Sequence, residues 1–209
     1  MNIQTDWYWS SHQPLIKAVM SYFEPKFVLE LGVGDFSTPI FQQYPAYLLS
    51  VENDSDWAKF IAEKYNHDNI IYHDLDNIGI HSPASVLTHL ERVNINLFYD
   101  ELNIYQKAPR LLFVDHFTSI RTLAINNLYS EFDFIIYHDC EPQGVTTYDY
   151  DKFIISPEYK SYTLKCNGTW TGLLTKRDIK DLPTRISRYI EEYKAVNVGC
   201  EWMEFSENK

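Results

Sequence analysis

The stretch Phe27–Thr38, FVLELGVGDFST, constrains this chain more than any other. An apolar run of Phe27, Val28, Leu29 and Leu31 reads as a buried strand, with Glu30 near its end. Gly32 and Gly34 then permit a tight turn that brings bare backbone up to a ligand. Ser37 or Thr38 can cap the following helix, and Pro39 suits its first turn. Strand, glycine turn and helix in that order form the nucleotide corner of a doubly wound α/β sheet. Two core glycines in an ordinary strand-to-helix turn are the plainer alternative.

Electrostatics separates the two cofactor classes that use such a corner. A dinucleotide sets a pyrophosphate on the helix N-terminus, and its third glycine would fall at Ser37. Glu30 and Asp35 bracket the turn, and carboxylates so placed repel a pyrophosphate. S-adenosylmethionine (SAM) carries no phosphate and offers a sulfonium and an ammonium group, which carboxylates suit. Glu52, followed by Asn53, ends the next apolar run (Tyr47, Leu48, Leu49, Val51). An acid there can hold ribose hydroxyls of either cofactor. The cofactor-binding candidates are Glu30, Gly32, Gly34, Ser37, Thr38, Glu52 and Asn53, together with Trp57, Asp74 and Asp115 further along the chain.

The 209 residues suit one α/β domain, with 1–26 preceding the first core strand and 178–209 forming a helical tail. Trp7, Tyr8 and Trp9 form an aromatic cluster, and His12 to Phe23 can make a helix through Leu15, Ile16, Val19 and Tyr22; this segment reads as a hydrophobic anchor or as a flap over the site with aromatic faces available to a sugar. Lys and Arg total 18 against 29 Asp and Glu, a formal charge of −11, and there is no basic track for nucleic-acid phosphates. No apolar run approaches a membrane span, and no secretory signal opens the chain. Cys140, Cys166 and Cys200 share no metal or redox spacing and read as reduced thiols of a cytoplasmic protein.

A helix begins at Asp54 or Ser55 and carries Trp57, which is core or borders an adenine. The third strand, 69–75, brings Asp74 or Asp76 near the adenine side. Residues 76–108 show no chemistry. It resumes at RLLFVDH, a buried strand ending in Asp115 and His116, and at DFIIYHD, a second ending in His138 and Asp139. Parallel strands open their C-terminal ends onto one crevice, so these four residues meet there. Grouped carboxylates and imidazoles cost free energy unless a cation or a reaction uses them. One expectation is Mg²⁺ or Mn²⁺ on Asp115, His138 and Asp139, with His116 as general base. The other is metal-free, with His116 or His138 as base and an aspartate orienting it.

The run 141–153, EPQGVTTYDYDKF, reads as a loop over the crevice, offering Glu141, Tyr148 and Tyr150 to a polyol, with Arg121 as a further substrate contact. A hairpin through Asn167-Gly168 makes the last strand of the sheet antiparallel. Residues 196–205 can pack on a neighbouring surface or on a second copy in a homodimer.

The set ELGVGDFSTP, ENDSDW, VDHFTSIR, IIYHDCEP and TWTGLLT resembles class I SAM-dependent methyltransferases over residues 20–177. More narrowly, it resembles small O-methyltransferases of polysaccharide gene clusters and of large DNA viruses of algae. The resemblance implies one Rossmann-like domain, with a seven-stranded, mostly parallel sheet and helices on both faces. It also implies methylation of a sugar hydroxyl, a deoxyhexose such as rhamnose in a glycan, in the cytoplasm (the host's for a viral protein). The rival readings are a nucleic-acid or other small-molecule methyltransferase, a nicotinamide reductase, and a non-catalytic partner with the same fold. The chain lacks the Asn/Asp-Pro-Pro-aromatic segment of enzymes that methylate base amino groups.

Overall fold

The computed structural model describes residues 7–72, 108–116, 120–197, 200 and 202–208. The expected end of the third strand, Asp74, Asp76 and the segment 76–107 lie outside the described residues. The elements are α1 (Trp7–Ser10), α2 (Gln13–Phe23), β1 (Phe27–Leu31), α3 (Thr38–Phe41), β2 (Tyr47–Glu52), α4 (Ser55–Tyr65) and β3 (Ile70–Tyr72). There follow β4 (Arg110–Val114), α5 (Arg121–Leu128), β5 (Phe134–His138), α6 (Pro142–Thr147), β6 (Lys160–Cys166), β7 (Trp170–Thr175), α7 (Leu182–Val196) and β8 (Met203–Glu207).

The strands form one sheet in the order β3-β2-β1-β4-β5-β7-β6-β8. Strands β1 to β5 pair in parallel, whereas β7 runs antiparallel between β5 and β6. The fold is thus the expected Rossmann-like α/β sheet with a reversed β7. The tail departs from the helical expectation: beyond α7 it adds an eighth strand, Met203–Glu207, antiparallel to β6. An apolar Met203 and Phe205 alternating with Glu204 and Ser206 provide the period-two pattern for it.

Side-chain alternation sorts the sheet into two cores. Val28, Leu48, Leu111, Phe113, Phe134 and Ile136 face a layer containing Leu15, Ile16 and Val19 of α2 and Ile186 and Ile190 of α7. Phe27, Leu29, Leu49, Leu112, Val114 and Ile135 face the other, with Ala124 and Ile125 of α5. Both faces are covered, so the central strands are almost continuously apolar. The parity also sends Glu30, Ser50, Asp115 and His138 toward the α2 side.

Both N-terminal helices are held to α7: α1 by Ser10 Oγ to Tyr193 Oη at 2.8 Å, and α2 by Tyr189 Oη to Ser21 Oγ at 2.8 Å. Residues 141–153 are not an open loop: Pro142 starts the short helix α6, and a 3-10 turn, Tyr150–Lys152, follows. Cys166 and Cys200, far apart in sequence, are both buried with their sulfurs 3.1 Å apart.

Candidate functional site

The glycine turn is built as the sequence suggests, but its carboxylates have other duties. Glu30 is fully buried and takes hydrogen bonds from Ser37 Oγ at 2.6 Å, Ser50 Oγ at 2.7 Å and Thr38 Oγ1 at 3.0 Å. Its register opposite Ser50 places it beneath the turn rather than in the crevice. Burial, partly offset by the three hydroxyls, pushes its pKa up to about 7. Glu30 therefore locks the turn and does not face a cofactor. Thr38 is equally buried and holds the Gly34 amide at 3.1 Å. Asp35 is drawn aside to Lys64 Nζ at 2.7 Å and Tyr65 Oη at 2.8 Å.

Gly32 adopts φ +91°, and a Cβ there would stand 2.6 Å from the Asp115 carbonyl oxygen. No side chain fits, so the first turn passes hard against the end of β4. Glu52 collects the amides of Val33 at 3.1 Å, Asn53 at 2.7 Å and Asp54 at 2.9 Å. Burial pushes its pKa up against those donors. It anchors the turn to the end of β2. Trp57 is partly exposed, and its indole donates to the Val33 carbonyl at 2.8 Å.

A cleft of about 220 Å³ opens over this turn, lined by Gly32–Ser37, Trp57, Asp115, Trp9 and His12. Bare glycine backbone, an indole edge and a buried imidazole suit a nucleoside cofactor that lacks phosphates. A pyrophosphate has little to dock on, because α3 is a single turn, Thr38–Phe41.

At the ends of β4 and β5 the expected cluster exists, and its cation is supplied by the chain. Arg121 is buried, with Nη2 3.0 Å from Asp115 Oδ1 and Nη1 3.1 Å from Asp139 Oδ2. Its Nε donates to the His116 carbonyl at 2.7 Å, and its guanidinium lies 4.1 Å from the Tyr148 ring centre. Arg121 is thus an internal counter-ion rather than a substrate contact. Burial alone would raise the Asp115 pKa, but His138 and Arg121 hold it well below the usual carboxylate range.

His138 is 1 % exposed; Nδ1 lies 3.2 Å from Asp139 Oδ1 and 3.6 Å from Asp115 Oδ1, and Nε2 lies 3.0 Å from Ser11 Oγ. Burial opposes its charge, yet the Asp115 and Asp139 carboxylates raise its pKa on balance. Its Nδ1 faces two carboxylates and its Nε2 the Ser11 hydroxyl, so neither nitrogen is open to a substrate hydroxyl and the ring is not placed to act as a base. The expected Mg²⁺ or Mn²⁺ on Asp115, His138 and Asp139 does not fit this arrangement. A divalent ion would sit beside the guanidinium, and both His138 nitrogens already have partners. Among the described residues, the ligand atoms lying within 4.8 Å of one another belong to His12, Asp115 and His138, without Asp139.

A second cleft, also about 220 Å³, is lined by Trp9, Asp139, Glu141, Gln143, Gly144, Thr147, Tyr148 and Gly168. Tyr148 donates to Asp139 Oδ2 at 3.0 Å, and Glu141 Oε2 accepts the Trp170 amide at 3.2 Å. Tyr150 is absent from this wall: it is buried and donates to the His138 carbonyl at 2.9 Å. His116 lines neither cleft and enters the cluster through its carbonyl. Trp9, one of the aromatics read as an anchor or as a flap over the site, borders both clefts. His12 is the residue sequence reasoning missed: it stands at no spacing from any motif, and only the docking of α2 brings it in.

No family model matches the chain, and no curated protein matches it. Among solved structures it is similar to an RNA methyltransferase from Salinibacter ruber in complex with S-adenosyl-L-homocysteine. That match has 13% identity and a TM-score of 0.42, covering 81% of this chain and 96% of that one. It is also similar to the 23S rRNA methyltransferase ErmE, at 14% identity and TM-score 0.43, covering 88% and 75%. A human methyltransferase 10 domain containing protein matches at 11% identity and TM-score 0.44, covering 85% of each chain.

Proposed function

We propose that this chain is a SAM-dependent O-methyltransferase acting on a hydroxyl of a sugar or glycan. One observation carries the reading: Trp9 is the common wall of the cleft over the glycine turn and of an acidic, aromatic-lined cleft beside it. A cofactor in the first and an acceptor in the second would meet at the strand ends. The cofactor class is supported by topology. Dinucleotide-binding sheets run 3-2-1-4-5-6, whereas here a reversed β7 is inserted after β5, the arrangement of class I methyltransferases.

The acceptor class is drawn from the second cleft's lining. Asp139, Glu141, Gln143 and Thr147 offer hydrogen bonds to hydroxyls, and Trp9 and Tyr148 offer faces to C–H surfaces. Among the described residues neither Lys nor Arg lines it, and a phosphodiester chain would meet the Asp139 and Glu141 carboxylates there.

When bound, SAM supplies a methyl group on a sulfonium leaving group. The protein's part is positioning and proton removal. Asp139, paired with Arg121 and oriented by Tyr148, accepts the acceptor hydroxyl's hydrogen bond and then its proton. Trp9 and Tyr148 hold the ring of the acceptor. No metal enters this scheme.

The test is calorimetry with S-adenosylhomocysteine and NADH, then methyl transfer to free and linked deoxyhexoses in EDTA, with RNA as a parallel acceptor. Micromolar binding of the first ligand only and transfer to a sugar are expected. Transfer to RNA alone would overturn the acceptor assignment, and NADH binding alone would overturn the cofactor.

A further inference from the structure

His12 lies just before α2, outside every motif, yet it is 2 % exposed and lines the cleft over the glycine turn. Its ring packs edge-on to His138 at 4.8 Å and against Phe113 at 5.2 Å. Neither ring nitrogen has a hydrogen-bond partner among the described residues. The Phe36 carbonyl, which accepts from Gln13 Nε2 at 3.2 Å, lies close enough to the His12 ring to favour its protonated form, short of a well-aligned hydrogen bond. A buried, unsatisfied imidazole is costly in a ligand-free protein. Burial and the adjacent His138 hold its pKa down to about 3, so it is neutral and presents one lone pair and one N–H.

Its position decides what it meets. In this architecture the nucleoside lies toward the end of β2, here the side of Glu52 and Trp57. The other end of a cofactor then lies toward β4, where Asp115 and His12 border the same cleft. Resting on the methyltransferase reading, we infer that His12 binds the zwitterionic amino-acid end of the cofactor. The ammonium group would share the imidazole lone pair and the Asp115 carboxylate, and the N–H remains for the carboxylate group. The N-terminal segment would then complete the cofactor site instead of only anchoring the terminus.

The test compares S-adenosylhomocysteine with 5′-methylthioadenosine, which keeps the adenosine and thioether but lacks the amino-acid end. In His12→Phe, which fills the same space without polar atoms, affinity for the first ligand falls by about 10-fold or more. Affinity for the second stays within about 2-fold, and the ligand-free variant melts at or above the wild type, because an unpaired polar group has been removed. His12→Gln, which keeps a donor and an acceptor, recovers most of the lost affinity and serves if the Phe variant misfolds. Unchanged binding of S-adenosylhomocysteine in His12→Phe, or equal loss of both ligands, would overturn the inference. Failure of the wild type to bind S-adenosylhomocysteine would bring down the methyltransferase reading and this inference with it.

Discussion

The Arg121 guanidinium stands 3.0 Å from the Asp115 carboxylate, and its other amino group reaches Asp139 at 3.1 Å. One cation therefore ties the ends of β4 and β5 together from the start of α5. Removing it leaves two poorly solvated carboxylates facing each other across the crevice. Arg121→Ala is expected to lower unfolding stability by ~3–5 kcal/mol, the cost of breaking a buried pair from one side. Urea titration reads this directly. A loss under ~1 kcal/mol, the range of an exposed pair, would mean that water reaches the cluster.

Glu30 gives a pH signature with a definite sign. Its pKa rises from 4.5 to about 7 on folding, so the native state keeps a proton that the unfolded chain has lost. Its contribution is full below about pH 4.5 and is lost as pH rises to about 7. The loss approaches ~3 kcal/mol, at 1.36 kcal/mol per unit. Glu30→Gln, which cannot ionise, should flatten that part of the wild-type curve. Parallel stability curves for the two proteins over pH 4.5–7 would show that Glu30 does not carry the proton.

These two residues mark how far the sequence can be read. The strand, turn and helix at 27–41 and the paired strand ends are legible, because alternation and glycine placement act locally. Grouped carboxylates do need a cation, and here the cation is Arg121, six residues past Asp115 and folded back by α5. The sequence shows Glu30 only as an acid near the end of an apolar run, which points it to the crevice. Its opposition to Ser50, a matter of strand register, turns it inward. His12 is illegible for a stronger reason. It reaches His138, 126 positions away in the chain, only through the docking of α2 on the sheet, and no spacing in the sequence encodes that.

Glu52 has both oxygens committed to amides of the turn, so its effect on a cofactor would be exerted through Val33 as well as directly. Glu52→Ala strips three donors of a charged acceptor, worth ~1.5–3 kcal/mol per such bond at the upper end. Binding of S-adenosylhomocysteine should weaken ~10–100-fold while the fold persists. Equal affinities by calorimetry would separate Glu52 from the cofactor site.

Asp139 separates chemistry from binding. It adopts φ 57° at the end of β5, which turns its carboxylate toward Arg121, Tyr148 and the second cleft. Asn in its place preserves the shape and can still accept from Arg121, but it cannot take a proton. If Asp139 is the base, Asp139→Asn lowers turnover by ~10²–10⁴-fold, the span of general-base contributions, with cofactor affinity nearly unchanged. Because the cluster is neutralised by Arg121 rather than by a metal, EDTA should leave wild-type turnover intact. Turnover abolished by EDTA and restored by Mn²⁺ would put a divalent ion back at the strand ends. Near-normal turnover of Asp139→Asn would instead move the proton to another group in the second cleft, with Glu141 the remaining carboxylate on its wall.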